Sequence, residues 1–510
     1  MATTWSAQQK AIFTWFERGD TYDAAAHETR VSQHLVVRAR AGTGKSTTIR
    51  EGVLRAPEQT ILIAAFIKDI QLAMEKALGP APRVTVKTLH AVGYACVRRF
   101  RDRIKVEFNG DRADALAKRA CGNTAPDAIV RLVSKLHTKA REIAPHAERL
   151  GDLAAIQITF ECMPDEQWES TQFNAAYVEQ KALDAMVLAA DVKSGETIDG
   201  SDMIFLPVRN GWLQGQFDLV VVDEAQDMTT AQLEIAQGVL NKGGRICVVG
   251  DDRQAIFGFR GADSESLDRL KRELNAAELG LTTTYRCAQA IVALAQGYVP
   301  DFQAGPGNPE GVISECDYDA LTAQAGPGDF ILSRVNAPLV STAMKLLRAG
   351  KRTRVAGRDI GKGLTALIRK MKARSVPDLL GKIEAWAARE NLRNRAQLAA
   401  AKNGRRSAIE AKIEAVLDQA DMMTSLAEGA KGIGEVEERV EALFTDDGLG
   451  AAGMITCSSV HRAKGLEAER VFIMADTLRQ TTIEEQNICY VAITRAKREL
   501  TWVVSDKTRA

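Results

Sequence analysis

Three short apolar runs punctuate the chain: Leu35-Val36-Val37, Leu219 to Val222, and Ile246 to Val249. Each is rich in β-branched residues and lacks polar alternation. That pattern predicts strands buried on both faces, as in parallel sheets covered by helices. Each run leads straight into polar, chemistry-bearing residues. Over residues 96–199 and 361–450 the pattern changes to Ala- and Arg-rich helical periodicity with almost no strand-like runs. The expected fold class is therefore α/β, with two parallel sheets, each interrupted by a mainly helical insertion. Residues 1–95 and 200–280 make the first sheet domain and 281–360 and 451–510 the second, with insertions at 96–199 and 361–450. The Pro/Gly-rich segment 300–311 is expected on the surface.

Composition narrows the class. The 510 residues carry 67 Lys+Arg against 66 Asp+Glu, a net charge of +1, so any nucleic-acid contact must come from local basic patches. One candidate is VRRFRDRIK (97–105), with five basic residues and one acid. It reads either as a solvated helix face or as a phosphate track using Arg98, Arg99 and Arg101. In the second insertion, residues 361–412 hold 13 basic and 4 acidic residues, whereas 413–450 hold 2 and 10. Helices that pair with each other are the favoured reading, and a duplex contact by the basic half is the alternative. The eight cysteines are scattered and the six histidines show no ligand spacing, which argues for reduced thiols and against structural zinc or iron–sulfur centres. The longest apolar run, Ile61 to Ile67, is far too short to span a membrane. No secretory leader is expected from MATTWSAQQK, nor an appended nuclease from the 13 residues after Lys497.

The first apolar run ends in Ala39-Arg40-Ala41-Gly42-Thr43-Gly44-Lys45-Ser46-Thr47, a phosphate-binding loop with Ala39 where glycine is usual. Gly42 and Gly44 let the backbone curl so that its N–H groups face phosphate oxygens. Lys45 reaches the β- and γ-phosphates, and the Ser46 hydroxyl is a Mg²⁺ ligand. The second run ends in Asp223-Glu224. In an open α/β sheet, ligands bind at that end of the strands. Asp223 is expected to hold Mg²⁺ and Glu224 to act as general base. Gln254, just past the third run, is placed to sense the γ-phosphate.

Six blocks now stand in order: ARAGTGKS, VVDEAQD, VGDDRQAIFGFRGA, TTTYRC, SSVHRAKGLE and NICYVAITRAK. This order resembles superfamily 1 helicases of the UvrD/Rep/PcrA type, and DEAQD points to the UvrD-like branch, which disfavours RNA as substrate. The resemblance implies two RecA-like P-loop motor domains, 1A and 2A, with helical insertions 1B and 2B, the latter reduced. It implies ATP and Mg²⁺ as cofactors, with ATP in the cleft between 1A and 2A. Gln9, or its neighbour Gln8, resembles the adenine-reading glutamine, Tyr285 the adenine-stacking tyrosine and Glu467 the ribose-binding glutamate. Arg286 and Arg495 resemble the two arginines that meet the γ-phosphate, as arginine fingers in cis. Phe66, Thr88, His90, Phe257, Phe259 and His461 resemble the DNA contacts, with Phe259 standing where tryptophan is more usual. The implied activity is ATP-driven 3′→5′ translocation on single-stranded DNA with unwinding of tailed or forked duplexes. The alternative is a DNA-stimulated ATPase that displaces proteins, or a motor subunit of a partner complex, unwinding little alone. The resemblance further implies a monomer in isolation, without a membrane, in the cytoplasm of a bacterium or phage host, and leaves a nuclear setting open.

Overall fold

The computed structural model describes residues 5–23, 28–168, 170–256, 266–400, 406–444 and 453–505. The chain divides into two compact units, Met1–Arg40 with Gly44–Leu281, and Ala41–Thr43 with Thr282–Ala510.

The first unit is built on six strands: β1 (Leu35–Ala39), β2 (Ile61–Ala65), β3 (Val84–Thr88), β4 (Phe217–Val222), β5 (Leu240–Gly250) and β6 (Ala277–Leu281). All neighbours are parallel, in the order β6-β1-β5-β4-β2-β3. The apolar runs are continuous because the pleat sends alternate residues into two cores. Leu35, Val37, Ile61, Ile63, Leu219, Val221, Cys247 and Val249 join one cluster with Ile12, Trp15, Phe16 and Ile49. Val36, Leu62, Val220, Val222, Ile246 and Val248 face the other, with Leu89, Val92, Ile204, Ile235 and Leu267.

Helices Asp111–Cys121, Asp127–Ile143 and Ala175–Ala190 of the first insertion bury a core of their own around Leu116, Ile129, Val133, Leu136, Val178 and Met186. A buried charge cluster lies beside it. Arg141 donates to Asp199 at 2.8 and 2.9 Å and to Asp202 at 2.6 Å, and Arg112 reaches Asp202 at 2.5 Å. Burial disfavours the Asp199 carboxylate, but Arg141 and Arg112 outweigh it and hold its pKa low.

The VRRFRDRIK segment does not act as one charged face. Arg98 and Arg99 are exposed at the end of helix Leu89–Phe100. Arg101 instead donates to the carbonyls of Val192 and Phe100 at 2.8 and 3.1 Å and lies 4.9 Å over the Trp212 ring. Its guanidinium braces the insertion, so it drops out as a phosphate contact.

The second unit repeats the plan with β7 (Val312–Cys316), β8 (Phe330–Ser333), β9 (Thr353–Val355), β10 (Ile455–Ser459), β11 (Ala468–Met474) and β12 (Ala496–Val503). These are again all parallel, in the order β7-β12-β11-β8-β10-β9. Its insertion consists of helices Arg358–Met371, Val376–Ala400, Arg406–Ala427 and Ile433–Leu443. Among the described residues, this insertion shares its core with the sheet. Leu379, Met423, Leu426, Val436 and Val440 join one cluster with Ile331, Leu339, Val355, Cys457 and Phe472. Asp418 of the insertion accepts from the backbone N–H groups of Asn336 and Ala337 at 3.1 and 2.6 Å, and so caps helix Ala337–Arg348. The two charged halves meet where Arg369 pairs with Glu437 at 2.6 Å. All eight cysteines are free and buried. No helix among the described residues is long and apolar enough to cross a membrane.

Candidate functional site

The carboxyl-terminal ends of the first unit's strands carry most of its candidate residues. At the end of β1 the backbone turns through Gly42 (φ +67°) and Gly44 (φ +82°), a region open to glycine and strained for other residues. Gly44 caps the helix Lys45–Arg55, which therefore presents its free amides and positive dipole end at the loop. Thr43 is buried, while Ser46 and Thr47 are exposed on the first helical turn.

Lys45 points across the strand ends to Glu224, Nζ to Oε1 at 2.8 Å. Burial opposes its charge, but Glu224, Asp223 and Asp251 outweigh that and raise its pKa. Asp223 follows β4, is 3% exposed, and accepts the Glu224 N–H at 3.0 Å. Burial, and next the Glu224 carboxylate, push its pKa up to about 6. Two adjacent carboxylates, one of them desolvated, suit a divalent cation. Among the described residues no group of three or more His, Cys, Asp or Glu forms a metal cage. The sequence's candidates, Asp223 and Ser46, could hold Mg²⁺ together with phosphate oxygens.

Strand β5 lies between β1 and β4 and is followed directly by Asp251, which is fully buried. Burial raises its pKa against the opposing charges of Arg40 and Lys45. Arg40 donates to Asp251 at 3.0 Å and to Asp252 at 2.8 Å, and Gln254 donates to Asp251 Oδ2 at 2.7 Å. Gln226 donates to Glu224 Oε2 at 2.5 Å and accepts the Asp251 N–H at 3.1 Å. Arg40, Gln226 and Asp251 were not singled out by the sequence. Only their position within three recognisable blocks could have drawn attention to them.

Gln9 is buried and its carboxamide is engaged at both ends. Its Oε1 accepts the Ser6 N–H at 3.0 Å, and its Nε2 donates to Thr48 on the loop's helix at 3.2 Å. Gln8 is half-buried. Farther along the sheet, β2 pairs Ala65 with Thr88 of β3, so Phe66 and His90 leave neighbouring strands at one end. Phe66 is partly buried against the core, and Thr88 caps helix Leu89–Phe100 through the Ala91 N–H at 3.3 Å. Burial lowers the pKa of His90. Phe257 and Phe259 lie outside the described residues.

In the second unit, Glu467 and Arg495 precede the adjacent strands β11 and β12, joined by an Ala468 N–H bond to the Arg495 carbonyl at 3.0 Å. Glu467 pairs with Arg286 at 2.5 Å and with Lys497 at 2.8 Å. Burial opposes its charge, but Lys497 and Arg286 hold its pKa low. Arg495 is buried and donates to the carbonyls of Val491 and Leu466 at 3.0 Å each. Tyr285 is 50% exposed. His461 is half-buried in the short helix after β10.

The UvrD/REP helicase N-terminal domain model matches residues 20–275, and the UvrD-like helicase C-terminal domain model matches residues 454–503. The ATP-dependent DNA helicase UvrD2 of Mycobacterium bovis is 27% identical across 92% of this chain and 77% of its own. The ATP-dependent DNA helicase PcrA of Staphylococcus epidermidis is 24% identical across 51% of this chain and 37% of its own. An arterivirus non-structural protein 10 helicase, solved with DNA, overlaps 92% of this chain and 60% of its own at 11% identity. Its TM-score of 0.34 carries no argument.

Proposed function

Given that the chain belongs to the UvrD/REP helicase family, we propose that it is an ATP-driven DNA motor that moves 3′→5′ along single-stranded DNA and unwinds tailed duplexes. The single observation that carries the reading is the Lys45–Glu224 pair beside buried Asp223, on a glycine loop that opens a helix. ATP phosphates take the loop amides and Lys45. Asp223 and Ser46 would hold Mg²⁺, which would supply charge neutralisation at the phosphates. Glu224, released by Lys45, orients the attacking water and takes its proton. Gln254 senses the γ-phosphate, and Arg286 and Arg495 stabilise charge as it transfers. Tyr285, Glu467 and Gln9 hold the nucleoside. Phe66, Thr88, His90 and His461 contact the DNA strand, along with Phe257 and Phe259, whose rings would each contribute about 1–3 kcal/mol by stacking on bases.

A second reading is a DNA-stimulated ATPase that displaces proteins and unwinds little. It is favoured by the core that the second insertion shares with its sheet, which ties that insertion down. Strand separation on duplexes with a 3′ or a 5′ tail, beside ATPase assays with and without single-stranded DNA, separates the two. Unwinding from the 3′ tail alone supports the first reading. Stimulated ATPase without unwinding supports the second, and ATPase indifferent to DNA sinks both.

A further inference from the structure

The hydrogen bonds around Glu224 single out a residue that the reading above leaves without a task. Gln226 sits in the turn Ala225–Asp227 after β4 and is fully buried. Its amide donates to Glu224 Oε2 at 2.5 Å, while its carbonyl oxygen accepts the Asp251 N–H at 3.1 Å. The seat is tight. A Cβ on Gly250 would come within 2.6 Å of that carbonyl oxygen, so the glycine at the end of β5 is what lets the carboxamide lie there. Glu224 itself has left-handed backbone (φ 52°), a conformation that persists only where its surroundings hold it.

We propose that Gln226 is a positioning residue that holds the Glu224 carboxylate by Oε2 when Lys45 leaves Oε1 for the phosphates of ATP, and that ties this carboxylate to the Asp251–Gln254 segment. This rests on the reading of Glu224 as general base. The two oxygens of Glu224 have different holders: Lys45 on Oε1 at 2.8 Å and Gln226 on Oε2. Only the first is drawn away by a nucleotide. Oε1 then exchanges the Lys45 ammonium for water while Oε2 keeps its Gln226 anchor. Through Asp251, whose Oδ2 accepts from Gln254 at 2.7 Å, the same side chain connects the base to the candidate γ-phosphate sensor. A base that has lost its Gln226 contact would follow Lys45 or turn from the water. The loss should therefore fall on kcat rather than on nucleotide binding.

The test uses the full chain. Gln226→Met keeps the volume and removes both hydrogen bonds, and Gly250→Ala pushes the carboxamide off its seat without changing its chemistry. DNA-stimulated kcat and KM, the Kd of a fluorescent non-hydrolysable ATP analogue, and the melting temperature are measured for both variants and for Glu224→Gln. Both variants should lose at least thirtyfold in kcat, with KM and analogue Kd within threefold of the parent. If Gln226→Met keeps kcat within twofold, or if kcat, Kd and melting temperature fall together in both variants, the positioning role is overturned. Glu224→Gln separates the two levels. Near-parental turnover in that variant overturns the base assignment itself, whereas an inactive Glu224→Gln beside an active Gln226→Met overturns this inference alone.

Discussion

Lys45 Nζ lies 2.8 Å from Glu224 Oε1, so the structure pairs the group that would bind phosphate with the group that would activate water. ATP must break this pair to use either partner. Lys45→Ala removes the phosphate contact and takes the ammonium away from the Glu224, Asp223 and Asp251 carboxylates. DNA-stimulated ATPase should fall at least hundredfold, about 3 kcal/mol in the barrier. ATP-analogue affinity, followed by fluorescence titration, should fall with it.

Arg40 is 7% exposed and is the buried cation of Asp251 and Asp252. Removing one partner of a buried pair leaves the other charge uncompensated, a loss of about 3–5 kcal/mol. Arg40→Ala should therefore lower the urea midpoint sharply. Asp251→Asn should recover part of that loss in the double variant, because the stranded charge is gone.

Arg98 and Arg99 should separate from Arg101 in solution as they do in the structure. Arg98→Glu with Arg99→Glu should leave the melting temperature nearly unchanged and reduce the slope of log binding constant against log salt, by roughly 0.7 per lost single-strand phosphate contact. Arg101→Ala should do the reverse, lowering the melting temperature and sparing the slope. An unchanged slope in the double variant removes this surface as a phosphate track.

His137 is fully buried in the first insertion, with Nε2 3.0 Å from the Ala113 carbonyl oxygen. Burial, and then the Arg141 charge, lower its pKa from 6.5 to about 3. As pH falls below 6.5 the unfolded chain takes a proton that the folded chain refuses until about 3, so stability drains across that window. Above 6.5 the contribution is complete. His137→Gln should flatten the decline by about 2 kcal/mol between pH 6.5 and 5. Urea unfolding at both values checks it.

Strands β1, β4 and β5 and the carboxylates after them were legible because burial on both faces leaves little but apolar residues, and the chemistry follows directly at the strand ends. The edge strands were not. Val84–Thr88 carries half-exposed positions and a lysine, and Ala277–Leu281 holds a glutamate and a glycine, because an edge is covered less completely. The Asp223-Glu224 pair stood out by position after an apolar run, but nothing in the pattern says that Gln226 turns inward between two carboxylate-bearing strand ends. Arg101 misled for a related reason: a basic run does not reveal which guanidinium finds carbonyls and a tryptophan face. Likewise, the spacing of Arg286, Glu467 and Lys497 gives no sign that they meet, since the sheet brings together residues far apart in the chain.

The strand order has a consequence for biogenesis. Strand β1, which delivers the phosphate loop, has β6 and β5 as its sheet neighbours, and both arrive about 200 residues later in the chain. At ordinary translation rates that is on the order of ten to forty seconds. The second unit has the same property, with β8 flanked by β10 and β11. In each half the earliest central strand must wait for distant partners, a topology of high contact order that folds slowly and exposes apolar edges meanwhile. The loop made first is thus among the last to become native, and a nascent chain halted before β5 would carry the whole phosphate-loop sequence without either strand that pairs with it.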